Sequence, residues 1–115
     1  MPRVRRMALV GVPDGERRVV HTAGFPIDPD RMLPTPDVLL IVDSKQQGCM
    51  LFRYTAYGEL CGDTPHDNAE QAESQAIIEY GEALAPWLEI PDEITDAHAF
   101  AIRFAYEHLN KRGDW

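Results

Sequence analysis

The stretch Val38-Leu39-Leu40-Ile41-Val42 is apolar at every position. A strand that is half exposed alternates apolar and polar residues, so an uninterrupted run of this kind belongs to a strand covered on both faces, in the middle of a sheet. At five residues it is far too short to cross a bilayer, which takes about 20. The remaining elements can be placed outward from it.

On the C-terminal side, Ser44 to Gly48 is polar and ends in glycine, and Cys49 to Thr55 then reads as the antiparallel neighbour. A third strand returns after Ala56-Tyr57-Gly58. A three-residue loop with Gly58 in the left-handed region pairs Tyr54 with Leu60 and Arg53 with Cys61. In that register Met50, Phe52, Tyr54 and Leu60 share one face, while Arg53, Thr55, Glu59, Cys61 and Asp63 share the other.

On the N-terminal side, "VRRMALVGV" (4–12) and "RRVVHT" (17–22) flank Pro13-Asp14-Gly15-Glu16, in which proline presets φ and glycine accepts a positive φ. A hairpin is expected there, its arginines Arg5, Arg6, Arg17 and Arg18 guarding a sheet edge. Pro26, Pro29, Pro34 and Pro36 make residues 23–37 a surface connection.

Two helices complete the chain. Asp67 with Glu70 three residues on suggests a capping box, and Ala69, Ala72, Ala76, Ile77 and Tyr80 form a narrow inner face that ends at Gly81 and Pro86. The second helix is expected from Asp96 to Lys111 behind Thr95 as cap, with Ala97, Phe100, Ala101, Phe104, Ala105 and Leu109 at helical spacing. Lys111 and Arg112 suit its C-terminal dipole. The intervening "ALAPWLEIPDE" is too apolar for a free linker and should be pinned to the core.

These elements describe a single α+β domain over residues 1–115: an antiparallel sheet of about five strands followed by two C-terminal helices packed mainly on one face. One sheet face would then lack a cover. The N-terminal hairpin with its connection, or a second copy of the chain, could supply it, and a homodimer is the expectation.

Composition narrows the partners. The net charge is −8, and residues 56–115 hold thirteen acidic against three basic side chains. That half repels phosphate backbones, so no nucleic-acid partner is expected, whereas a basic protein partner would be attracted. No membrane span or export signal is read, a cytoplasmic location is expected, and Cys49 and Cys61 should be reduced thiols.

The segment "CGDTPHDNAEQA" (61–72) gathers the chemistry-bearing residue types. Cys61, Asp63 and His66 fall short of the four ligands of structural zinc, and a strand cysteine lacks the setting that yields a thiolate, so neither a metal, a cofactor nor catalysis is expected. Strand-to-helix junction chemistry accounts for most of the residues: Gly62 relieves the strand end, Asp63 or Thr64 forms a turn, Pro65 stops the sheet, and His66 bonds Asp63 or a strand carbonyl. Arg53, Asp63 and His66 are the candidate binding residues.

The pattern "FRYTAYGELCGDTPHDNAEQAESQAIIEYG" followed by "WLEIP", within residues 50–91, resembles small uncharacterised bacterial proteins in which a strand ending Gly-Asp-Thr-x-His enters a helix closing on Glu-Tyr-Gly. The resemblance implies a recurring sheet-to-helix unit from Phe52 to Gly81 and no activity. The expected function is a non-enzymatic binding or protein-interaction module. The alternative is a small enzyme or ligand-binding protein with a cleft where Asp63 and His66 meet the helix start.

Overall fold

The computed structural model describes residues 4–11, 35–44 and 48–109. The expected strand at 17–22, its turn, the 23–37 connection as far as Pro34, Lys111, Arg112 and Trp115 lie outside the described residues. Among the described residues five strands form one antiparallel sheet: β1 (Arg5–Leu9), β2 (Val38–Asp43), β3 (Cys49–Tyr54), β4 (Leu60–His66) and β5 (Leu88–Glu89). Helix α1 (Ala69–Tyr80) joins β4 to a 3₁₀ turn at Gly81–Ala83, and α2 (Ala97–Glu107) follows β5. The architecture is α+β.

Across the sheet the order is β4-β3-β2-β1-β5, so β2 is central, as its apolar run requires. Val38, Leu39, Leu40 and Ile41 are completely buried. β1 is an interior strand, not an edge. The two-residue β5 lies along it, with Ile90 N–H donating to Arg5 O and Ala85 N–H to Leu9 O, so this apolar connection is pinned by strand pairing.

The two helices take opposite faces, in contrast to the expectation that both pack mainly on one. Leu39, Ile41 and Leu51 meet Ala69, Ala72, Ala76 and Tyr80 of α1. Val38, Leu40, Met7 and Leu9 meet Ala97, Ala101 and Ala105 of α2, with Phe100 and Phe104 packed against the same cluster. Alanine rows on both helices allow close approach to the sheet. The expectation of a homodimer rests on an uncovered face; each face of β2 is covered by a helix of its own chain, so that premise fails.

The β3–β4 hairpin pairs Tyr54 with Leu60, and Gly58 has φ 92°, as the loop length demands. The next paired residues along the strands are Phe52 and Asp63, so the two residues Cys61 and Gly62 oppose Arg53 alone. Gly62, at φ 110°, accommodates this β-bulge. Past the bulge the faces of β4 exchange. Asp63 lies opposite Phe52 on the α2 side; Thr64 opposite Leu51 and His66 opposite Cys49 lie on the α1 side with Arg53. Pro65 does not stop the sheet, because β4 is an edge strand where a missing donor costs no ladder bond.

Because β4 continues to His66, the helix cap moves one residue beyond Asp67. Asn68, with extended backbone, accepts the Gln71 N–H at 2.9 Å, and Gln71 Oε1 accepts from the Asp67 N–H. Asp96, not Thr95, caps α2 through the Ala99 N–H at 3.0 Å. Ile77, expected on the inner face of α1, is exposed.

Candidate functional site

Arg53, buried under α1, is the centre of a polar network. Its Nε and Nη2 donate to the two carboxylate oxygens of Glu79 at 2.8 and 2.7 Å, a bidentate pair whose side chains are 3% and 1% exposed. Nη2 also reaches Thr64 Oγ1 at 3.2 Å, and Gln75 Nε2 donates to Glu79 Oε2. Thr64 Oγ1 in turn shares a 2.7 Å hydrogen bond with His66 Nε2. His66 therefore bonds a threonine hydroxyl and not Asp63. Partial burial, then the Arg53 cation, lowers the His66 pKa from its ordinary value of 6.5.

Tyr80, from the same helix, buries its hydroxyl without a hydrogen-bond partner among the described residues. Burial, reinforced by the Glu79 carboxylate, raises its pKa and keeps the phenol protonated. Of the three candidate residues, the fold links Arg53 and His66 through Thr64 and sends Asp63 to the opposite face. Among the described residues no group of three or more His, Cys, Asp or Glu is placed to hold a metal ion. Cys49 and Cys61 are buried, and burial followed by Asp43 pushes the Cys49 thiol up, away from the thiolate.

A second constellation, on the α2 face, draws on three separate parts of the chain. Val4, Arg5, Val42, Asp43, Thr95, Asp96, Ala97 and His98 line a groove of about 540 Å³ between the β1/β2 ends and the start of α2. That lies within the usual range of small-ligand sites, roughly 300–1,000 Å³. Arg5 forms the floor at 6% exposure, and its terminal nitrogens donate to the carbonyl oxygens of Pro91 and Ile94. Arg5 thus ties the loop before α2 to the sheet; the edge-guarding role expected for it is not the one it has. Asp43, Thr95 and Asp96 are exposed, and the Asp43 carboxylate turns to the α1 side of the sheet, where its Oδ1 accepts from the Cys49 thiol.

His98 connects the groove to an aromatic cluster. Its Nδ1 lies 2.7 Å from the Tyr54 hydroxyl, and its ring meets Phe52 edge-on at a centroid distance of 4.6 Å. Burial, followed by the charges of Asp63 and Asp96, raises the Tyr54 pKa. Asp63 therefore acts on this side of the molecule, with Tyr54 and Asp96. Sequence reasoning missed the groove because its residues stand at 4–5, 42–43 and 95–98, and strand pairing alone brings Arg5 opposite Val42.

None of the helices of the described residues is long and apolar enough to cross a membrane. No family model matches the chain, and neither a curated protein nor a solved structure matches it.

Proposed function

We propose that the protein is a non-enzymatic binding module that docks its ligand or partner in the groove between the β1/β2 ends and the N-terminus of α2. The observation that carries this reading is the groove itself: a concave site with a buried cation held in its floor by backbone carbonyls, apolar lining from Val42 and Ala97, and the exposed Asp96 at the start of α2. Its polar groups are engaged in holding geometry, Arg5 to the loop and Asp96 to the helix cap. What weighs against the enzymatic alternative at the β4–α1 junction is that Asp63 and His66 lie on opposite faces of the sheet, so one cleft does not collect both.

The test is amide-resolved NMR of the ¹⁵N-labelled protein titrated with a mixture of neutral and charged small fragments. Shifts are expected to cluster on Val4, Arg5, Asp43 and residues 95–98. Shifts clustered on Thr64, His66 and the start of α1 instead would overturn the groove reading and favour the junction.

A further inference from the structure

Within the groove, whose role as the docking site is the reading above, we infer that the group recognised is the carboxylate of a small organic anion with an apolar body. Two independent features of the groove lack the acceptor that such a group supplies. The first is Arg5, which is buried at 6% exposure and makes no ion pair among the described residues. Its terminal nitrogens donate to Ile94 O and Pro91 O, which uses two of its five N–H donors, and its Nε–H is buried without an acceptor. The two carbonyls hold the side chain in place but supply no counter-charge. A buried cation in that state is costly unless an anion reaches it.

The second feature is the start of α2. The Asp96 side chain accepts the Ala99 N–H and the Asp96 carbonyl accepts the Phe100 N–H, which leaves the N–H groups of Ala97 and His98 without an acceptor among the described residues. Both residues line the groove, and so does Thr95 with its hydroxyl. Free amides at a helix N-terminus favour an anion. A carboxylate placed there takes backbone donors from α2 and the charge of Arg5 from the sheet.

The lining selects the kind of anion. Asp43 turns its carboxylate to the α1 side, so among the described lining residues Asp96 alone keeps an acidic side chain on this side, exposed and with Oδ1 held by the cap. A doubly charged phosphate meets twice the repulsion from Asp96 that a singly charged carboxylate meets. Val42 and Ala97 give apolar lining that a bare inorganic anion cannot use and a hydrocarbon body can bury. The volume of about 540 Å³ admits such a molecule. The net charge of −8 does not oppose it, because the fields of exposed charges fade over about 8 Å at physiological ionic strength, whereas Arg5 and the α2 amides act at the site itself.

The experiment titrates the ¹⁵N-labelled full chain with hexanoate, with its neutral amide hexanamide, and with hexylammonium, following backbone amides and the Arg5 Nε–H resonance. Hexanoate should shift Ala97, His98 and the Arg5 Nε–H together and saturably, hexanamide should bind about tenfold more weakly, and hexylammonium should leave them unmoved. Asp96→Asn keeps the acceptor that caps α2 and removes the neighbouring negative charge, so it should tighten hexanoate about threefold, whereas Asp92→Asn, outside the groove lining, should leave the affinity unchanged. Arg5→Met should abolish hexanoate binding; where its circular dichroism shows that it does not fold, the Nε–H resonance and Asp96→Asn decide the matter. Equal affinity for hexanoate and hexanamide, or equal tightening by the two aspartate variants, would overturn the inference and leave the docking site standing. Hexylammonium shifting these amides in place of hexanoate would do the same. If none of the three probes moves a groove amide while other neutral fragments do, the ligand class is wrong; if those fragments also miss the groove, the docking site itself is wrong.

Discussion

Replacing Glu79 by glutamine tests the buried pair at the centre of the α1 face. The substitution preserves shape and removes one charge: the amide oxygen still accepts one Arg53 N–H, but the second carboxylate acceptor becomes an N–H donor facing the guanidinium, whose other acceptors are only Thr64 Oγ1 and the Leu51 carbonyl. With side-chain exposures of 3% and 1%, water cannot take the place of the lost carboxylate without opening the α1–sheet interface. Removing one partner of a pair this deeply buried costs about 3–5 kcal/mol. For a chain of this size 1 kcal/mol corresponds to a Tm change of about 4 °C, so Tm should fall by roughly 12–20 °C. Urea denaturation followed by far-UV circular dichroism and by fluorescence of Trp87, which packs against this face, gives the midpoint. The double replacement Arg53→Met/Glu79→Leu removes both desolvated charges and should recover most of the loss. A Glu79→Gln midpoint within about 0.5 kcal/mol of wild type would refute the reasoning, since that small an effect is typical of an exposed pair.

Three further outcomes follow from the same geometry. Asn68→Ala should cost about 1 kcal/mol because it removes the α1 cap, while Asp67→Ala should stay within about 0.5 kcal/mol; paired urea melts check this, and the reverse order would return the cap to Asp67. Gly48→Ala should destabilise by at least about 2 kcal/mol, since Gly48 has φ 73° and an added Cβ would stand 2.2 Å from His66 O; a thermal melt matching wild type would contradict the turn geometry. The His66 pKa is depressed in the folded state, so its contribution to stability is present above its unfolded value near 6.5 and is lost as pH falls through the folded value. Stability measured between pH 7.5 and 5 should therefore decline more steeply in wild type than in His66→Gln; identical slopes would show that His66 is not the group responsible.

Much of the architecture was legible in local sequence. The uninterrupted apolar run at 38–42 could only be satisfied by burial on both sides, and β2 is the central strand. The loop length with Gly58 set the Tyr54–Leu60 register, because only glycine accepts that φ without strain. Alanine periodicity marked the inner faces of α1 and α2. Each of these depends on a few consecutive residues whose backbone options are few.

What tertiary structure decided lies one step beyond such local rules. A single extra residue at Cys61-Gly62 exchanges the faces of β4, carrying Asp63 to the α2 side and aligning Thr64 and His66 with Arg53, so the cluster that stands together in sequence is divided in space. Helix periodicity states which side of a helix is buried, but not which side of the sheet receives it, so α1 and α2 could be placed on opposite faces only by the packing itself. The groove is the extreme case. Arg5, Val42 and residues 95–98 line one groove because β1 pairs with β2 and the 91–94 turn accepts the Arg5 guanidinium, long-range contacts that no local composition encodes.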